Sequence, residues 1–276
     1  MPTVNNRGYL NEDYRLFHST DMRDMDFYTH SHDFHKLVLC LDGRVTYIME
    51  GVTYYLRPWD MLLIPEHQIH QSILYSTERY ERIILWISDR FFRKYAEPAL
   101  SEVFAWPVQN RSGLFRPEEG ARATLFEKLC ALEAAQKSTA AGHALLSDSY
   151  MIQFLLQLRG LLSDRPSAPR SDVRSDPRFN EILDYINANL SEDLSIGALA
   201  GRFYISPSHL MHAFKRHAGL TVHQYVLQKR LIQAAARIRG GEPVISTAQS
   251  CGFSDYTACL KAFKRQYGCA PAEMKK

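Results

Sequence analysis

The chain has 276 residues, 46% hydrophobic and 23% charged, the balance of a soluble globular protein with length for two ordinary domains. Its first residues show no basic stretch followed by an apolar core, and the leucine-rich segment 145–162 is interrupted by Ser147, Asp148, Gln153, Gln157 and Arg159, so neither secretion nor a membrane span is expected, and a cytoplasmic protein is. The net charge of +3 hides an asymmetry: from Leu194 onward 12 Lys+Arg stand against 3 Asp+Glu, +9, which leaves 21 against 27, −6, for the rest and points to a polyanion partner for the C-terminal third.

Residues 36–87 alternate short apolar runs with turn residues: "KLVLCLDGRVTYIMEG", "VTYYLRPWDMLLIPE" and "YERIILWIS". They are predicted as strands, with Asp42-Gly43 and Glu50-Gly51 as turns. The period then changes. Leu125, Leu129 and Leu132 mark a helix over 118–135, and Leu145, Ile152 and Leu155 lie on a broader apolar surface over 143–162. That second helix must be covered, either by the first helix and the sheet or by another subunit. Five cysteines (Cys40, Cys130, Cys251, Cys259, Cys269) without CxxC spacing read as reduced, mostly buried thiols rather than a disulfide framework or zinc ribbon.

Pro, Ser, Asp and Arg dominate "SDRPSAPRSDVRSDP", residues 163–177, which reads as a linker. Helix signals follow without strands. Asp176 and Pro177 form an N-cap and first-turn pair, with Phe179, Ile182, Leu183, Ile186 and Leu190 on one face. Ser195 caps a short helix carrying Leu199 and Ala200, Phe203-Tyr204-Ile205 turns, and Ser206-Pro207 starts a helix stopped by Gly219. Thr221 opens a longer helix ended by Gly240-Gly241, and Pro243 starts another short one.

"AFKRHAG" at 213–219 recurs as "AFKRQYG" at 262–268, a shift of 49 residues, while Ala200 and Ser206 match Ala248 and Ser254 at a shift of 48. Each copy is helix, tight turn, helix, the arrangement that places a second helix in the DNA major groove. With Leu210 and Phe214 inward, Ser208, Met211, His212 and Lys215 face outward, and the shift maps them onto Thr257, Leu260, Lys261 and Lys264; Tyr256 joins the second set. Arg216 and Arg265, at the helix ends, suit phosphates, which give affinity but little sequence information. His212 and Lys261 are the polar base-edge readers; Ser208 and Thr257 hydrogen-bond several bases, and Met211 and Leu260 reach thymine methyls. For any one cation a solvated helix face is the alternative; the repeated register supports the set.

"THSHDFHK", residues 29–36, places His30, His32 and His35 just ahead of a strand. Alternation sends His35 and Lys36 to opposite faces. Together His30, His32, Lys36, Tyr47, His70, Arg82 and Trp86 offer donors, acceptors and cationic anchors that suit a small polar or anionic effector, with a sugar, sugar acid or aromatic acid all open. GxSxG, GxxxxGK and HExxH are all missing, and Cys40 among apolar neighbours reads as a core thiol, so no enzyme is expected.

From about Asp176 to Lys276, the segments "LSIGALAGRFYISPSHLMHAFKRHAGLTVHQYVLQKRLIQAAARI" and "PVISTAQSCGFSDYTACLKAFKRQYGCAPAEM" resemble the DNA-binding domain of the AraC/XylS family of bacterial transcription regulators. Cys259 stands where the family usually has an aromatic residue or leucine, and Lys261 where it commonly has Arg. Residues 8–90, through "HSHDFHKLVLCLDG", "YLRPWDMLLIPEHQIH" and "YERIILWI", resemble that family's cupin-type effector barrel, with Trp59 where a glycine is usual. The resemblance implies an α+β protein: a cupin-like β-barrel with two following helices over 1–162, a linker over 163–175, and an all-α domain with two helix-turn-helix units over 176–276. It implies an activator that binds double-stranded promoter DNA and works with RNA polymerase; the helices over 118–135 and 143–162 are the candidates for homodimer formation, which would place two such domains on repeated half-sites. In metal-dependent cupins His-x-His, a glutamate four residues on and a later histidine converge; here His30, His32 and His70 match, but Lys36 replaces the glutamate and repels a cation. Three histidines remain a chemically allowed zinc or iron set. The expectation is an effector site without metal or cofactor, with a metal-dependent cupin enzyme as the alternative.

Overall fold

The computed structural model describes residues 10–21, 25–26, 29–74, 79–163 and 172–275. It divides into two compact units, one of Tyr9–Tyr47 with Thr53–Arg174, the other centred on Ser175–Lys276.

In the first unit, strands β1 (Tyr14–Asp21), β2 (Met25–Asp26), β3 (Phe34–Asp42), β4 (Val45–Met49), β5 (Val52–Leu56), β6 (Met61–Ile64), β7 (His70–Leu74), β8 (Tyr80–Ser88), β9 (Leu114–Phe115) and β10 (Val173–Arg174) make two five-stranded sheets. Their orders are β1-β8-β3-β6-β9 and β10-β5-β4-β7-β2. The Glu50-Gly51 turn forms, with φ of 46° and 77°, as a twist-matched two-residue hairpin requires, whereas Asp42-Gly43 is a bend that carries the chain from β3 in one sheet to β4 in the other. Gly43 has φ +84°, and a Cβ there would lie 2.3 Å from the Arg79 carbonyl oxygen, so only glycine fits.

The central pair fixes which side chains enter the barrel. Antiparallel register sets Lys36 opposite Trp86 and Leu37 opposite Leu85. Because side chains alternate, Leu37, Leu39, Leu63, Ile83, Leu85 and Ile87 share the outer face and build the main core with the helices, while Lys36, Val38 and Cys40 face the second sheet. That core is completed by α1 (Asp89–Tyr95), α2 (Pro98–Gln109), α3 (Glu119–Lys137) and α4 (His143–Ser163). Leu125, Leu129 and Leu132 of α3 meet Met151, Phe154, Leu155 and Leu158 of α4 within it, so helix and sheet cover most of the broad apolar surface. Leu145, Leu146 and Leu156 remain exposed at 74%, 48% and 42%.

The expected linker needs a correction at its end. Val173 and Arg174 form β10 against Tyr54 and Thr53, and Asp172 accepts hydrogen bonds from Arg57 and Arg116. Residues 164–171 lie outside the described residues.

The second unit is helical: α5 (Pro177–Ala188), α6 (Ile196–Arg202), α7 (Pro207–His217), α8 (Val222–Arg239), α9 (Val244–Ser250), α10 (Tyr256–Tyr267) and a final 3-10 turn, Pro271–Lys275. Side chains of Asp176, Ser195, Ser206 and Thr221 cap α5, α6, α7 and α8 as expected, and Thr221 with Gln224 completes a capping box. The helix before Gly219 ends at His217, two residues short of the glycine. Both copies turn through a left-handed residue at equivalent places, Tyr204 (φ 52°) and Gly252 (φ 83°). A Cβ at Gly252 would lie 2.3 Å from the Leu190 carbonyl oxygen, whereas Tyr204 projects into solvent, which explains why only the second copy needs glycine.

Candidate functional site

The barrel interior gathers the histidines that the sequence singled out. His30 and His70 exchange two backbone hydrogen bonds, 3.0 and 2.9 Å, and the His32 carbonyl accepts from the His67 amide at 2.8 Å. The segments 30–32 and 67–70 are thereby tied together. Ring centroids lie 4.4 Å apart for His30 and His70, 4.8 Å for His32 and His70, and 6.0 Å for His30 and His32. Nδ1 of His32 donates to the Phe34 carbonyl at 2.7 Å, and Nδ1 of His70 to the Gln68 carbonyl at 3.0 Å. The tautomer follows, because a carbonyl only accepts: each Nε2 carries a lone pair in the neutral ring. Both Nε2 atoms are buried without a hydrogen-bond partner among the described residues. Burial first, then the Lys36 charge, holds both rings well below the usual imidazole range, so they stay neutral.

Beside them sit two buried cations. Lys36 is 8% exposed and Arg82 6%. Lys36 Nζ lies 5.8 Å from the Tyr47 ring centroid and Arg82 stacks 4.6 Å from that of Tyr80. Burial, and then Arg82, lowers the Lys36 ammonium to about 8. Trp86 packs on Phe34 with centroids 4.8 Å apart, and its indole Nε1 is another buried donor without a partner among the described residues. The seven residues singled out thus belong to one cluster. His35 faces away as expected, stacked on Phe104 at 4.4 Å. Ser72 and Tyr80, both buried, were missed; each lies two residues from a selected one, His70 and Arg82, so strand alternation would have found them.

In the helical unit the two outward faces form as the repeat requires. Leu210 and Phe214 in α7 and Cys259 and Phe263 in α10 are the buried positions, at the same shift of 49. Ser208, Met211, His212, Lys215, Arg216, Tyr256, Thr257, Lys261, Lys264 and Arg265 are exposed. Leu260 is half-buried, a correction to its reading as a fully outward residue: helical spacing puts it at the margin of the buried Cys259 position rather than opposite it. Nδ1 of His212 donates to the Ser208 carbonyl at 2.7 Å, which turns Nε2 outward.

A barrel with a buried, charged interior joined to two helix-turn-helix units with basic outer faces defines a ligand-responsive DNA-binding regulator. Residues 16–155 match the AraC-like ligand binding domain, and 199–276 match a helix-turn-helix domain. The chain belongs to the AraC family of transcription regulators. It is similar to the HTH-type transcriptional activator RhaS of Enterobacter sp. (strain 638), 25% identical over 90% of this chain and 87% of that one. The arabinose operon regulatory protein of Salmonella typhimurium is 25% identical over 87% and 82%. Among solved structures, ToxT from Vibrio cholerae aligns over 95% of this chain and 97% of that chain at 15% identity with a TM-score of 0.39. The α+β fold class read from the sequence holds, and no helix among the described residues is long and apolar enough to cross a membrane.

Proposed function

We propose that this regulator activates transcription in the cytoplasm when a small anionic effector, such as a sugar acid or aromatic acid, occupies the barrel interior. One observation carries the effector class. Lys36 is buried and, among the described residues, forms no ion pair. A buried ammonium without a counter-charge is costly, and a ligand carboxylate supplies one. Lys36 and Arg82 hold the carboxylate in this reading, Tyr47 and Trp86 frame it, and His30, His32 and His70 border the other end. Similarity to transcriptional activators such as RhaS supports activation and a non-enzymatic role.

The partners are double-stranded promoter DNA, RNA polymerase by family resemblance, and a second copy of the chain. Exposed Leu145, Leu146 and Leu156 on α4 support self-association there, which sets two DNA-binding units on repeated half-sites. The domain limits 1–162, 163–175 and 176–276 belong to the same reading.

A thermal-shift series on the whole chain tests it, with sugar acids, aromatic acids and their uncharged analogues compared in wild type and Lys36→Met. Acids should stabilise the wild type alone, and the same acid should change promoter occupancy. Stabilisation by the uncharged analogues only would overturn the anionic class, and unregulated promoter binding with no stabilising compound would make the barrel a constitutive assembly module.

A further inference from the structure

We infer that His30, His32 and His70 form a three-imidazole binding site for a borderline-soft divalent ion of the zinc class. One ligand nitrogen from each residue falls within 4.8 Å of the others. Nitrogens around a tetrahedral zinc at roughly 2.0–2.1 Å sit closer together than this, so modest ring rotations close the set. Imidazole donors favour zinc, copper, nickel or iron over magnesium and calcium.

The hydrogen-bond pattern argues for a Lewis acid over an anion. Since Nδ1 of His32 and of His70 each donates to a backbone carbonyl, each Nε2 has a lone pair and no proton to offer a carboxylate or phosphate. A metal-binding histidine has the same arrangement, its second nitrogen anchored to a carbonyl and ring orientation thereby fixed. Both Nε2 atoms are buried and, among the described residues, without a partner, so they lack the occupant that buried polar atoms require. The paired backbone bonds of His30 and His70 hold the third ring against them.

Lys36 sets the character of the site. Its charge acts on both His32 and His70, so it weakens cation binding and favours an anionic fourth ligand between ion and ammonium. The three-histidine site stands whatever effector the barrel takes, and effector stabilisation measured in chelator keeps the two questions separate.

The experiment is cobalt titration of the chelator-treated full-length protein, followed by visible absorption and elemental analysis. One equivalent of Co2+ should bind and be displaced by Zn2+ but not by Mg2+. His32→Ala and His70→Ala should each abolish stoichiometric binding, while Lys36→Met should tighten it by about tenfold or more. The last variant keeps the test decisive if a histidine variant fails to fold, because it predicts a gain. Absence of the cobalt spectrum in both wild type and Lys36→Met, binding that survives both histidine substitutions, or binding indifferent to Lys36→Met would overturn the assignment.

Discussion

Arg116 grips Asp60 with two parallel hydrogen bonds, Nε to Oδ1 at 2.6 Å and Nη2 to Oδ2 at 2.8 Å, and Asp60 is wholly buried. Nη1 of the same guanidinium reaches Asp172 at 2.9 Å. Such a pair is most sensitive to loss of one partner, which strands the other charge in a low-dielectric site.

Arg116→Met should therefore destabilise the first unit by about 3–5 kcal/mol. Trp59, Trp86 and Trp106, the three tryptophans of the chain, all lie in that unit, so tryptophan fluorescence in urea isolates its transition. A change within about 0.5 kcal/mol would mean the pair contributes nothing that solvent does not replace.

Acid should weaken the same unit through His35. Burial, with His67 adding to it, lowers the His35 imidazole to about 4, below the about 6.5 of an unfolded histidine. Between those values the unfolded chain binds a proton that the folded chain refuses. Stability is thus highest above pH 6.5 and falls by up to about 1.4 kcal/mol per pH unit as pH drops towards 4. His35→Gln should remove its share of that slope, up to about 1.4 kcal/mol per pH unit, and leave the share of buried His32 and His70; an unchanged slope would assign the acid sensitivity elsewhere.

Thiol chemistry should divide the cysteines. Burial pushes Cys40 up to about 12 and Cys259 up to about 11, and Cys251 is also buried. Only thiolates attack disulfide reagents, so these three should react on unfolding, whereas half-exposed Cys130 and Cys269 react first in the native protein. Peptide mapping after brief aromatic-disulfide treatment reads this directly, and early labelling of Cys259 would contradict its place in the α10 core.

The caps and the repeat were legible because local chemistry sets them: Asp176, Ser195, Ser206 and Thr221 each need only their own first turn. The histidine cluster was legible only in part. Alternation separates His35 from Lys36, but the meeting of His30 with His70 depends on a pairing across forty residues, which the family resemblance alone anticipated. Strand β1 and helices α1 and α2 had no expectation. β1 mixes charged and polar residues with few apolar ones, and in α2 Pro98 sits at the start and Pro107 inside, which blurs the helical period. Trp59 shows the opposite case. Its φ of 74° is the left-handed geometry that makes glycine usual there, and its ring packs on Phe126 at a centroid distance of 5.6 Å instead.

We propose that the outer faces of α7 and α10 divide DNA recognition between reading and holding. His212 presents Nε2 outward because Nδ1 is held by the Ser208 carbonyl, and Lys261 is the exposed polar residue at the matching place in the second unit. His212→Ala and Lys261→Ala should therefore each change base preference at a few positions, at about 1–3 kcal/mol for each base-edge interaction removed. Arg216, in the last turn of α7, suits a phosphate, so Arg216→Ala should weaken binding to all sequences alike and reduce the salt slope by about 1. Selection from a randomised DNA pool, with affinities taken at several salt concentrations, separates the two effects. Unchanged preference in both His212→Ala and Lys261→Ala would move base readout to other residues of the same faces, since the phosphate term carries no sequence information.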